Sequence, residues 1–233
     1  MMTAQMTTDT KQTITKAAGW LYFLIILSSI LSLVFLGGKF NVLGDSAASV
    51  SKMAQHENLV RINAVYEVFM FSAVIALAVL LFELTRGINA GLARTAMLLR
   101  VGEAILGYLG IVLSLGVLAV ASQGAERSEA LAVLLYDLKD LVYKVLMICI
   151  SLGTIIYFSL FLKGRYIPKF MSVWGIIGFA LMLVASVLQI LDSPTGTMVN
   201  AAAAVLAITF ELTIGIWFIV KGINQTGPIV NEQ

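Results

Sequence analysis

A single cysteine, a single histidine and three prolines are spread over 233 residues, and only 12% of the side chains are charged. Each scarcity removes a class of function. Cys149 has no partner for an internal disulfide, and in the middle of an apolar run it reads as a small buried hydrophobe. His56 alone leaves no set for a zinc site or for axial ligation of haem by two histidines. Gly-x-Ser-x-Gly, phosphate-loop and dinucleotide fingerprints are missing. Ser28, Ser29, Ser32 and Ser114 lie in apolar runs without a histidine base, and read as hydroxyls bonded back to their own helices. The net charge is +2, and the basic residues are scattered over loops rather than gathered into the patch that nucleic acid requires. No cofactor and no nucleic-acid partner is called for.

What the chain has in abundance is oil. Hydrophobic residues make up 60% of it and the mean hydropathy is +0.97, whereas a soluble domain is about half apolar and about a quarter charged. Such a chain cannot cover itself with polar surface in water. Six runs are long enough to span a bilayer, which takes about 18 or more apolar residues: Ala17–Leu36, Ala64–Phe82, Ala96–Ala121, Leu131–Leu162, Met171–Leu191 and Met198–Val220. The first is too long for a signal peptide, whose apolar region is about 7–15 residues, and it ends in Gly37-Gly38-Lys39 rather than at a cleavage site. Pro168, Pro194 and Pro228 all fall outside the runs, so the pattern predicts continuous helices. The expected fold is an all-α, six-helix transmembrane bundle in one domain over residues 17–222, between a disordered tail at 1–16 and a second tail at 223–233. The lipid bilayer is its first partner. No internal repeat is evident.

Lysine and arginine set the expected orientation. Lys11, Lys16, Arg86, Arg94, Lys163, Arg165, Lys169 and Lys221 fall on one side. The opposite loops hold Lys39, Lys52 and Arg127 beside Asp45, Glu57, Glu126, Glu129 and Asp192. Both termini are therefore placed in the cytoplasm, and Trp20, Trp174 and Trp217 lie near that face, where an aromatic belt belongs. The external segment Gly38–Val60 contains GDSAASVSKMAQHENLV. Asp45 or Ser46 can cap a helix, and Ala47, Val50, Met53 and Ala54 recur at helical spacing. This segment reads either as a short amphipathic helix on the outer interface or as an ordered loop.

Four stretches together carry a family resemblance: Arg100-x-x-Glu103-Ala104, Tyr166-Ile167-Pro168-Lys169, Glu211 followed by Trp217 and Lys221-Gly222, and Gly44-Asp45-Ser46-Ala47-Ala48 leading to Arg61. The chain resembles the bacterial membrane family catalogued as "domain of unknown function 4386" over nearly its whole length. The resemblance implies a six-span protein of the bacterial inner membrane and carries no activity with it. Near Asp137–Asp140 the family pattern often has histidine where this chain has Lys139, so a metal or proton role for such a histidine does not transfer.

The charges inside the runs are the chemistry left to explain. At about 1.5 Å per residue, counting from the cytoplasmic ends places Arg100 roughly 6 Å deep, Glu103 roughly 10 Å and Glu211 roughly 14 Å. The three can meet. Arg100, Glu103, Gly107, Gly110 and Ser114 share one stripe, and Asn200, Ala204, Ala207, Glu211 and Gly215 another, so the third and sixth spans are expected to face each other through small residues. One cation with two carboxylates leaves a negative surplus. Either one carboxyl is protonated at neutral pH or the site holds a cation. Nearer the outer face, Glu67, Lys144, Arg61 and Asp140, with Asp137 and Lys139, form a second group that balances its own charge.

Three functions remain open. The first is a polar pocket that binds or conducts a small molecule, an ion or a proton. The second is a structural or accessory subunit whose buried charges only fix helix packing. The third is a membrane enzyme acting on lipid or quinone through a carboxylate pair. Ionisable residues inside spans generally face a functional cavity, which ranks the first ahead, with Glu211 as the titrating group. Reporter fusions test the topology: a reporter active only in the cytoplasm should signal when joined after Gln233, and should be silent when inserted between Gly44 and Asp45.

Overall fold

Long apolar segments can hide their backbone polar groups from lipid by coiling into helices, and helices account for almost all of the described chain. The computed structural model describes residues 8–42, 44–122 and 126–224. The α-helices are α1 (Thr8–Leu31), α2 (Ser46–Gln55), α3 (Glu57–Thr85), α4 (Ala90–Ala121), α5 (Glu126–Gly164), α6 (Lys169–Ile190) and α7 (Pro194–Val220), and the described residues hold no strand. Every one except α2 is long and apolar enough to cross a membrane, α1 together with the turns that follow it. This is a multi-pass membrane protein. Pro168 caps α6, and Pro194 opens α7, where a missing backbone N–H breaks no helical bond.

The start of α1 departs from expectation. It begins at Thr8, so residues 8–16, expected as disordered tail, are helical. Thr15 is buried and its hydroxyl donates to the Lys11 carbonyl at 2.7 Å, while the Lys11 ammonium stands 6.0 Å from the Tyr166 ring centroid. Packing against the rest of the protein orders these polar turns. The remaining tail assignments, residues 1–7 and 225–233, lie outside the described residues. The far end of α1 also departs from a continuous helix: it widens into a π turn over Ser32–Leu36 and then tightens into a 3-10 turn over Gly37–Lys39. A Cβ at Gly38 would sit 2.5 Å from the Leu33 carbonyl oxygen, so only glycine permits this ending.

The predicted amphipathic helix exists as α2, capped by the Asp45 carboxylate, which accepts from the Ala48 amide at 2.8 Å. Its apolar face is turned elsewhere than expected. Val50 and Met53 are buried with Phe40, Val60, Val117, Leu118 and Ala132, so α2 closes one end of the bundle instead of lying on a lipid surface, and Ala47 and Ala54 are exposed. The Ser46 hydroxyl ties α2 to α5 by donating to Asp137 at 2.5 Å.

The six long helices form a closed ring in the order α1, α3, α4, α5, α6, α7, with α7 packed back onto α1. The third and sixth spans, α4 and α7, therefore stand across the ring from each other. They do not pack face to face as their small-residue stripes suggested. Tyr22, Tyr157, Phe158, Phe161, Phe179, Phe210 and Phe218 fill much of the middle, with the Phe158 and Phe210 rings edge to face at 4.7 Å. Trp20, Phe69, Val112 and Val205 are among the large apolar side chains exposed on the outside, as a lipid-facing surface requires. At the end of the bundle where Thr8 begins α1, the Asn224 backbone amide donates to the Tyr166 carbonyl at 2.8 Å. Burial in this connection raises the Tyr166 hydroxyl above the usual tyrosine value.

The ring closes through glycine. A Cβ on Gly19 would fall 2.8 Å from the Gly215 carbonyl oxygen and 2.9 Å from the Ile219 nitrogen, both of them backbone. Gly19→Ala should therefore lower stability by about 1–3 kcal/mol, measured as thermal unfolding in detergent. Gly102→Ala, which meets open space on α4, should be neutral or stabilising by up to about 1 kcal/mol in the same assay.

Candidate functional site

A guanidinium has no business in an apolar core unless its charge is answered and its stem has room. Arg100 on α4 has both. Its Nη1 lies 2.9 Å from Glu103 Oε2, one turn along the same helix, and the two side chains are 3% and 4% exposed. Its methylene stem crosses α5 at Gly153, where a Cβ would be 3.1 Å from Arg100 Cγ and 3.2 Å from the Ala96 carbonyl oxygen. A side chain at 153 would press on the arginine stem and on the α4 backbone, which would have to give by a few tenths of an ångström. Tyr22 of α1, Tyr157 of α5 and Glu211 of α7 are all close enough to Arg100 to interact with its charge through space. Four helices of the ring thus converge on one cation.

The satisfaction of these groups is uneven. The Tyr157 hydroxyl donates to the Ala78 carbonyl of α3 at 2.8 Å, which pins α5 to α3. Arg100 Nε, Arg100 Nη1 and Glu103 Oε2 are buried and have no hydrogen-bond partner. The 2.9 Å approach between the last two is a charge contact whose angles miss hydrogen-bond alignment. Glu211 is half-buried, and among the described residues none makes an ion pair or hydrogen bond with it. It faces Arg100 across the ring rather than touching it.

The second group breaks into local pairs. Arg61 bonds Glu57 at 2.6 Å on the exposed start of α3, and Lys144 bonds Asp140 at 2.8 Å on α5. Glu67 accepts from Asn63 Nδ2 at 3.0 Å, and Asn63 Oδ1 in turn accepts from the Ser32 hydroxyl at 2.7 Å, at the π turn of α1. Lys139 of α5 acts on Glu67 through space without an ion pair to it. Arg61 thus stands apart with Glu57, while Glu67 and Asp140 both lie within electrostatic reach of Lys139. Sequence reasoning did not pick out Ser32, Asn63, Tyr22, Tyr157 or Gly153 as site residues. Asn63 could have been found as the polar residue one turn from Glu67, and the two tyrosines as hydroxyls within apolar runs.

Among the described residues, no group of three or more His, Cys, Asp or Glu side chains could hold a metal ion. A surface concavity of about 440 Å³ lies at the α2–α3 turn, lined by residues 54–59, away from Arg100.

A family model described as "Domain of unknown function (DUF4386)" matches residues 17–222. No curated protein and no solved structure matches the chain.

Breaking a buried ion pair leaves a bare charge in an apolar interior, a loss of about 3–5 kcal/mol. Glu103→Gln should approach that loss in thermal or denaturant unfolding. Arg100→Met combined with Glu103→Met should lose less than the two single changes summed, because the double variant buries no unanswered partner from the pair.

Proposed function

We propose that this chain, which belongs to the DUF4386 family, binds or passes a small molecule, an ion or a proton at the cluster of Arg100, Glu103 and Glu211, and does no covalent chemistry of its own. We place it in the bacterial inner membrane with both termini in the cytoplasm, on the asymmetry of its lysines and arginines.

The observation that carries this reading is the unmet hydrogen bonding at Arg100. A buried guanidinium that serves only to hold a fold normally has its donors taken up by carboxylates or carbonyls. Here Nε, Nη1 and the facing Glu103 Oε2 are buried and unpartnered. Two donors and an acceptor side by side suit a guest that can both accept and donate, such as water, a hydroxyl or a carboxyl. The negative surplus of two carboxylates over one arginine suits a guest that brings positive charge, a proton included. A purely structural role is less well supported, because the cluster's ion pair lies within one helix and Arg100 reaches Tyr22, Tyr157 and Glu211 on the other helices through space only. Direct ties between helices are made by the Tyr157–Ala78 bond and by the glycine contacts of α1 and α7 among others.

Infrared difference spectra of the purified protein, taken between acid and alkaline buffer, test the proposal. A protonated-carboxyl band should titrate in the unaltered protein and should weaken in Glu211→Gln while thermal stability is largely kept. If Glu211→Gln unfolds the protein and the unaltered protein shows no such band, the cluster is structural.

A further inference from the structure

Two polar sites in one helical ring invite the question of what stands between them. On α3 the residues Asn63, Glu67 and Phe71 follow one another at helical spacing. On the antiparallel neighbour α4, Glu103 is followed one turn later by Gly107. A Cβ at Gly107 would clash with the Cζ, Cε1 and Cε2 atoms of Phe71, so this ring lies directly against the α4 backbone, and it meets the Tyr108 ring edge to face at 6.0 Å. Glu103 is thus one turn to one side of the Phe71 ring and Glu67 one turn to the other. Along the axis the two carboxylates are roughly 12 Å apart, at about 1.5 Å per residue.

We propose that Phe71, seated on Gly107, is the gate of a proton path whose two halves are the Arg100–Glu103–Glu211 cluster and the Ser32–Asn63–Glu67 chain. The proposal rests on the reading of the first cluster as a ligand site and extends it across the bundle. Each half holds a carboxylate that can carry a proton, together with hydroxyls, and on the α2 side the Asn63 amide orients the Ser32 hydroxyl and the Glu67 carboxylate without relaying a proton itself. On the terminal side these are two carboxylates beside the Tyr22 and Tyr157 hydroxyls, with the buried, unpartnered atoms of Arg100 and Glu103 placed to hold water. On the α2 side the Ser32 hydroxyl, the Asn63 amide and the Glu67 carboxylate are already joined at 2.7 Å and 3.0 Å. The charged groups around Glu67 are Lys139 and, behind it, Asp140, both from α5. α1 contributes Ser32 at this level.

Proton transfer runs over single hydrogen bonds of about 2.5–3.2 Å, so it cannot leap the gap of roughly 12 Å between the carboxylates. An aromatic ring across that gap keeps it dry. Rotation of the ring away from Gly107 would admit a short file of water, along which a proton passes from one carboxyl to the next carboxylate with no net chemistry. A metal cation suits the route less well, because among the described residues no group of three or more ligating side chains stands along it. Gly107 is the counterpart that makes the seat. The π turn that ends α1 places Ser32 against Asn63, in keeping with the frequent use of such turns at functional positions.

The test uses the full chain in vesicles of phosphatidylcholine and phosphatidylglycerol loaded with a pH-sensitive dye. A pH step is applied, with valinomycin and potassium present to balance charge. Phe71→Ala should raise the rate of proton equilibration by roughly tenfold or more over the unaltered protein, Phe71→Trp should not, and adding Glu67→Gln to Phe71→Ala should return the rate to baseline. Should Phe71→Ala fail to fold, Phe71→Leu and Gly107→Ala, which displaces the ring, serve instead with the same expectation. A folded Phe71→Ala protein with an unchanged rate, or a leak indifferent to Glu67→Gln, overturns the gate. The carboxyl band that Glu211→Gln weakens separates the two ideas. Its presence with no leak leaves the ligand site standing and removes only the gate, whereas its absence removes the site itself.

Discussion

The arrangement turns on the burial of one guanidinium in a medium that does not solvate it. A charge moved from water into an apolar interior must be answered by an opposite charge and by hydrogen bonds, or it is expelled. At Arg100 the answer is built from several helices. Glu103 supplies the counter-charge from the same helix, Gly153 leaves room for the stem, and Tyr22, Tyr157 and Glu211 set the surrounding field. The sterically sensitive positions nearby are glycines because the arginine needs a groove, and α1 and α7 pack closely enough to shut the ring behind it.

Much of the fold was legible in the sequence because the bilayer imposes a simple rule: a run long and apolar enough to cross must be a helix. The six spans and the family followed from that rule and from a few short residue patterns. The cap of α2 at Asp45 was legible for the same local reason, since a short acceptor side chain satisfies the first free amides. What could not be read was which helix stands beside which. Periodicity identifies a face without naming its neighbour, and stripes of small residues on α4 and α7 fitted a direct contact as well as they fitted two opposite walls of a ring. The α2 face was misjudged in the same way, because Val50 and Met53 look identical whether they meet lipid or Val117 and Leu118.

The charged residues show the same limit. Depth counting brought Arg100, Glu103 and Glu211 to similar heights, and the structure puts them around one centre. For the second group, height was not enough. Arg61, Lys144 and Asp140 chose partners on their own helices, where i,i+3 and i,i+4 spacing makes a contact available without tertiary help. Glu67 was left to Asn63 and Ser32, and that link depends on the irregular end of α1. No propensity or hydropathy rule announces a π turn in advance.

The closed ring also bears on how the chain enters its membrane. α1 packs against α3 on one side and against α7, the sixth span, on the other, so the ring closes only when all six spans are present. Arg100 arrives on α4 long before Glu211, yet it travels with Glu103 three residues behind it. The helix can therefore partition into lipid as a self-neutralising unit. The pair within one helix looks redundant in the finished bundle; it is what lets a cation cross the threshold before its final surroundings exist. α7 then brings Glu211 towards Arg100 and packs against α1, so the second carboxyl arrives with the helix that closes the ring.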